Sequence, residues 1–282
     1  MEGDNCPLCG NALKTTQGLA DRHRVVERDC PACGRFVMDD HEVATRPWAE
    51  ADGFKIAAFI RRQNLLGRTP AFTRDWQQLK AAPPEGTVPV TFADAMADFP
   101  RTVGERLDRA LLNLAQRSNK PGADVDTTPL DYPLFYAEDF DVMRFFTDQL
   151  CQSRLVHKTD HTSSSVLLRL TVEGWNRVAD LQRAGLREQS DQAFVAMWFR
   201  SQTEAAYCQG IGPAIEECGY RPYKANLAEH VNKICDEVIK QIRASRFVVA
   251  DFTGDRHNVY FEAGYARGWG SRWSGLAGRM KS

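Results

Sequence analysis

Across the last third of the chain, short runs of consecutive apolar residues alternate with stretches in which apolar residues recur every three or four positions. Ala193-Phe194-Val195-Ala196-Met197 and Phe247-Val248-Val249-Ala250 are too short for buried helices and rich in β-branched residues, the pattern of strands covered on both faces. Between them, Thr203 to Cys218 carries Ile211, Ala214 and Ile215 on one helical face, and Gly219 ends it. Tyr220 to Lys224 then reads as a strand. Val231, Ile234, Val238 and Ile242 have the spacing of an amphipathic helix, and a last helix starts at Val259 behind Asn258 as its N-cap. Such β-α-β-α-β-α alternation predicts an α/β domain with a parallel sheet and right-handed crossovers.

From Thr45 to Ser190 the pattern is mostly helical, with amphipathic segments at Phe54–Leu66 and Val103–Gln116. Lys120 to Pro133 is rich in turn formers and reads as a loop. Asp139 to Gln152 reads as a helix, followed by paired strands Leu155–Lys158 and Val166–Leu170 around the polar tip Thr159–Ser165. Thr171 is then the N-cap of a helix running to about Ala184. Helix, hairpin and helix outline a winged-helix-like module. Its hairpin offers His157, Lys158 and His161 but few other cations, which favours packing or sensing over DNA reading. Arg183 to Gln192 is the polar linker into the last domain.

Ahead of these elements, Cys6-Pro7-Leu8-Cys9-Gly10 and Cys30-Pro31-Ala32-Cys33-Gly34 form two C-x2-C pairs, the spacing of a four-thiolate zinc ribbon. Pro and Gly favour the tight knuckle that turns backbone amides toward sulfur. Four cysteine ligands leave no open position, so the expected zinc is structural. Cys151, Cys208, Cys218 and Cys235 show no paired spacing. No signal-peptide pattern precedes the first pair, which disfavours disulfides.

The expected domains are a zinc ribbon at 1–44, a helical and winged-helix-like region at 45–190, and an α/β domain at 191–282. With 36 Lys plus Arg against 37 Asp plus Glu, the net charge of −1 supplies no basic field, so nucleic acid is not favoured as a partner. No apolar stretch is long enough to cross a membrane, and a cytoplasmic protein is expected.

Chemistry concentrates beyond the strand that ends at Asp251. Ligands of open α/β sheets bind outside the carboxyl ends of strands, and Asp251, Thr253, Gly254 and Asn258 lie there. Glu262 falls about one turn into the helix, too late for a capping box, so capping alone does not explain it. The plainer alternative is that Glu262 complements the helix dipole and Asp251 folds back on loop amides.

The blocks FVAMWF, IGPAIEECGYRPYKA, EHVNKICDEVIKQIRASRFVVADFTG and NVYFEAGYARG, spanning about Gln192 to Gly270, resemble the nucleoside 2-deoxyribosyltransferase-like group, which includes TIR-like nucleotide-binding proteins of bacteria. The resemblance implies a flavodoxin-like parallel sheet and a nucleoside or nucleotide ligand. It also implies Glu262 as nucleophile and Asp251 as the carboxylate that contacts sugar or base. His230, Asn232 and Asp236 stand where the family places further polar groups. Thr253, Gly254 and Asn258 could hold a sugar hydroxyl or phosphate, and Trp198 and Phe199 could stack on a base, although core packing suits both rings equally.

An N-glycosidic bond breaks through an oxocarbenium-like centre that a carboxylate can stabilise and trap. Three readings therefore stand: an enzyme that cleaves or transfers an N-glycosidic bond, a non-catalytic nucleotide sensor signalling to a partner, and a zinc-ribbon and winged-helix DNA-binding regulator. The segment GWGSRWSGLAGRMKS shows no strand pattern, and one back-translation of Trp269–Met280 read two bases along encodes Pro-Val-Val-Trp. The expectation is an α/β domain truncated or frameshifted after about residue 268, with an unpaired strand edge that a homo-oligomer would cover.

Overall fold

In the computed structural model, which describes residues 5–20, 25–72, 85–161, 165–198, 200–224 and 231–278, the chain divides into units Met1–Leu181 and Gln182–Ser282. The first unit opens with antiparallel strands β1 (Thr15–Ala20), β2 (Val25–Cys30) and β3 (Gly34–Asp39). Helices α1 (Asp40–Thr45) and α2 (Gly53–Leu65) follow. Strands β4 (Thr69–Phe72) and β5 (Thr87–Val90) then add in parallel to the far edge of β3, completing a five-stranded sheet in chain order. These two strands correct the mostly helical reading of this stretch. Each has only four residues and includes a proline, so neither is long enough to display a period.

Next come α3 (Phe92–Ala97), α4 (Val103–Arg117), β6 (Val125–Thr127), a 3₁₀ segment at Pro129–Phe135, α5 (Phe140–Gln152), β7 (Val156–His161), β8 (Val166–Leu170) and α6 (Val172–Glu188). The hairpin and its flanking helices form in the expected order, but β7 runs on to His161, into the expected polar tip, and α6 runs to Glu188, through most of the stretch expected as linker. Asp139 caps α5 through a 2.9 Å bond from the Val142 amide, and Thr171 receives the Gly174 amide at 2.9 Å ahead of α6. Lys120–Pro133, however, is not all loop. Its strand β6 pairs antiparallel with β8, giving the order β6-β8-β7. Thr127 Oγ1 donates to the Val166 carbonyl at 2.7 Å, a tertiary bond that a three-residue strand could not announce.

Two apolar clusters fill this unit. One gathers Leu111 and Leu114 of α4, Phe146 and Leu150 of α5, Phe135 and Leu168. The other joins Cys6, Cys30 and Cys33 to Phe36, Ile56, Ile60 and Phe72, so the cysteines share a core with α2 and β4. Tyr132 packs against both. Beside it, buried Asp131 receives Arg61 of α2 at 2.5 Å and Arg117 of α4 at 2.9 Å, while its second oxygen accepts from Thr128 N and Oγ1 at 2.8 and 3.0 Å.

The second unit is built on β9 (Gln192–Ala196), α7 (Ser201–Ala206), a π-helical turn at Tyr207–Ile211, α8 (Gly212–Glu217), β10 (Arg221–Lys224), α9 (Val231–Ala244), β11 (Phe247–Asp251), α10 (His257–Gly268) and β12 (Arg272–Leu276). All pairings are parallel, in the order β10-β9-β11-β12. Every residue of β9 is buried. Phe194 and Ala196 meet Val238, Ile242 and Val259 on one face, and Ala193 and Val195 meet Ile215 on the other. The α/β class and parallel sheet are as expected. Strand β12 is a correction, since Arg272–Leu276 pairs with β11 from Phe247↔Arg272 to Asp251↔Leu276. That edge of β11 is therefore paired. All five β12 side chains are exposed, so no apolar alternation marks the strand. No described helix is long and apolar enough to cross a membrane.

Replacing Asp131 by Ala would strip two arginines and a turn of their shared acceptor, leaving two half-buried guanidinium groups without their carboxylate. Chemical denaturation is expected to show a loss of about 3 kcal/mol, whereas Asp141→Ala on the exposed surface of α5 should change stability little.

Candidate functional site

At the carboxyl end of β11, Asp251 is 5% exposed and its Oδ1 accepts from Thr253 N at 3.0 Å and Thr253 Oγ1 at 2.6 Å. Thr253 Oγ1 in turn accepts from the Gly278 amide at 2.8 Å. Asp251 thus folds back on its own loop, as the plainer sequence reading had it. Gly254 follows at φ +87°, and a Cβ there would come within 2.6 Å of the Trp198 ring. Only glycine permits both the backbone and this approach. The loops after β9 and β11 therefore touch at the point where the strand order reverses, which is where open α/β sheets bind ligands.

Helix α10 begins two residues earlier than the pattern suggested, at His257, with Arg256 as the extended residue ahead of it. Asn258 is consequently not the cap. It lies inside the first turn, and its side chain bonds that of Glu262 one turn on. Glu262 shares the buried stripe of α10 with Val259, Ala263 and Ala266 and is 6% exposed. Burial pushes its pKa up to about 7, against the opposing effect of the Asn258 bond. A buried carboxyl group with its proton affinity raised in this way, on the helix that covers β9 and β11, is a candidate reactive group.

Trp198 is half-buried at the end of β9, against Gly254 and beneath the Arg256 guanidinium, whose carbon lies 3.8 Å from the ring centroid; that of Arg200 lies at 5.7 Å. Sequence reasoning missed both arginines. The available signal was their position, one in each loop flanking the switch point. Beyond β10, Lys224 pairs with Glu204 at 3.1 Å and stands 4.6 Å over the Tyr207 ring. Asp236 is exposed on α9, and Asn232 is the second residue of that helix. His230 and Phe199 lie outside the described residues.

The second cluster is that of Cys6, Cys9, Cys30 and Cys33, whose sulfurs all lie within 4.8 Å of one another and could hold a metal ion. The first knuckle closes through Cys6 N to Asn11 O and Gly10 N to Cys6 O, both 2.8 Å. In the second, Cys33 N donates to Cys30 Sγ at 3.4 Å, and Gly34 turns the chain at φ +89°. Asn11 Nδ2 donates to Cys9 Sγ at 3.2 Å. Sulfur separations of 3.7 Å for Cys6–Cys33 and 3.5 Å for Cys9–Cys30 exceed a disulfide bond. They approach the ~3.8 Å edge of a tetrahedron with ~2.3 Å metal–sulfur bonds. Mutual hydrogen bonds divide the thiols. The bond with Cys30 lowers Cys9, and that with Cys33 lowers Cys30. The bond with Cys30 raises both Cys6 and Cys33, and burial adds to it. Tyr132 is raised by burial and then by the charge of this cluster.

Comparison with family models, curated proteins and solved structures returned no match for this chain.

Because folded Glu262 binds its proton more tightly than a free carboxyl group, stability should fall as pH rises from about 4.5 to about 7 and then level. Glu262→Gln is expected to be more stable than wild type at pH 8, by up to about 3 kcal/mol, with the difference shrinking toward pH 4.5 in denaturation series. Native mass spectrometry should find one metal ion per chain; Cys6→Ser with Cys30→Ser should abolish it and lower the melting temperature, while Cys151→Ser changes neither.

Proposed function

We propose that the second unit is a flavodoxin-like, nucleoside 2-deoxyribosyltransferase-like domain that binds a nucleoside or nucleotide and cleaves or transfers its N-glycosidic bond. The observation that carries this reading is Glu262, a carboxyl group with a pKa of about 7 on the buried stripe of α10, the helix that follows β11 and packs on β9 and β11. The order β10-β9-β11-β12 supports it, being 2-1-3-4 within the unit, the opening of the flavodoxin-like order.

In the reaction, the Glu262 carboxylate bonds to the anomeric carbon as the carbon–nitrogen bond breaks. The bonding pair leaves with the base, which takes a proton from solvent. Water, or a second base, then displaces the carboxylate and regenerates it. Partial desolvation makes the carboxylate a stronger nucleophile, while the Asn258 bond keeps ionisation accessible near neutrality. Asp251, held by Thr253 through one oxygen, is the substrate-orienting carboxylate.

Zinc is the metal that four cysteines in this arrangement suit, as a structural ion with no open position for substrate. The succession α4, β6, 3₁₀ segment, α5, β7, β8 with sheet order β6-β8-β7 supports a winged-helix-like module. DNA reading draws no support from its charges. Arg144 pairs with Asp141 at 3.3 Å, Lys158 with Asp148 at 2.5 Å and Arg169 with Asp124 at 2.8 Å, leaving these cations neutralised. A sensor without turnover is the second reading, favoured by the engagement of Asp251 with its own loop.

The test is release of free base from nucleosides, nucleoside monophosphates and NAD, followed by mass spectrometry. Release that rises with pH through about 7 and is lost in Glu262→Ala is expected. Ligand binding without release, unchanged in that variant, would instead establish the sensor.

A further inference from the structure

Two guanidinium groups meet one indole where the strand order reverses. Arg200 leads into α7 from the loop after β9, and Arg256 precedes α10 in the loop after β11. Their carbons lie 5.7 and 3.8 Å from the Trp198 ring centroid, and Trp198 is itself held against the Gly254 backbone. Both arginines are exposed, and among the described residues neither guanidinium makes an ion pair or a hydrogen bond. This sets them apart from the other cation at this end of the sheet, Lys224, which is paired with Glu204.

Close stacking uses the face of a guanidinium and leaves the N–H groups at its edge free, in a fork that matches a phosphate in two-point geometry. An aromatic face also limits the conformations of a long side chain, so less freedom is lost when an anion is bound. Arg256 and Glu262 flank the first turns of α10, separated by about 9 Å of helix rise. A charged group and a reacting centre of one ligand can therefore lie along the same helix end.

Resting on the proposed glycosidic site, we infer that Arg256, close over the Trp198 ring, and Arg200, beside the same ring, form an anion clamp that selects 5′-phosphorylated nucleotides over the parent nucleosides. The clamp acts in binding and takes no part in bond cleavage. It also answers an electrostatic problem of the site, because Glu262 and Asp251 alone would repel a phosphate.

Titration calorimetry on the full chain carrying Glu262→Gln, which prevents turnover, tests the clamp. The ligands are the 5′-monophosphates of the common ribo- and deoxyribonucleosides beside their parents. At least one monophosphate is expected to bind roughly 10- to 100-fold more tightly than its nucleoside, a preference that weakens with added salt. Adding Arg200→Ala and Arg256→Ala should erase the preference, bringing monophosphate and nucleoside affinities together; the double lysine variant, which keeps the charge without the fork, should retain part of it. Equal binding of the two ligand classes, a preference that survives both alanines, or no binding by any monophosphate would each overturn the clamp. Base release by the chain with Glu262 intact separates the two ideas. A phosphate preference without release sinks the catalytic reading and keeps the clamp, whereas equal release from nucleoside and monophosphate sinks the clamp and keeps the chemistry.

Discussion

The parallel pairing of β9 with β11 is the interaction on which the second unit depends, because it joins strands that are not consecutive. β10 occupies one edge of β9, so β11 must return to the other, from Phe247↔Ala193 to Ala250↔Ala196. That return reverses the strand order, and the chain departs from the two neighbouring strand ends in different directions. There Trp198 of one loop meets Gly254 and Arg256 of the other. Complete burial of β9 is the physical reason that the arrangement holds, since its apolar side chains serve both layers of the unit.

Glu262 is a carboxyl group held inside an apolar layer. Its position on the stripe of Val259, Ala263 and Ala266 would suit an apolar side chain, and apolar burial along α10 offsets the cost of holding a carboxyl group there. The same burial that weakens folding at neutral pH raises the group's basicity. Stability at neutral pH and the proton affinity of this carboxyl group are thus opposed at one residue.

In the first unit, the four-cysteine ribbon and a helical layer share one interior. The cysteines lie among Phe36, Ile56, Ile60 and Phe72, while Asp131 ties α2 to α4 and Tyr132 touches both cores. A cation at the sulfurs would stabilise more than its two knuckles, because neutralising the thiolates relieves charge against an apolar core. Among the described residues around α5 and the hairpin, Arg144, Lys158 and Arg169 each face a carboxylate.

By itself, the sequence determined what depends on near neighbours along the chain. The two C-x2-C turns, the apolar runs of β9 and β11, the stop at Gly219 and the caps Asp139 and Thr171 are local patterns, and each was legible. The alternation of strands and helices also implied a parallel sheet, which located Asp251 and drew attention to Glu262. Only tertiary structure decided the rest. Strands β4, β5, β6 and β12 are too short or too exposed to carry a period and exist because a partner strand completes their hydrogen bonds. Asn258 reads as a cap until the helix is seen to begin at His257. Arg200 and Arg256 become a pair only where Trp198 and Gly254 bring two loops together. The shifted proton affinity of Glu262 likewise comes from desolvation by its three-dimensional surroundings, a quantity no spacing along the chain records.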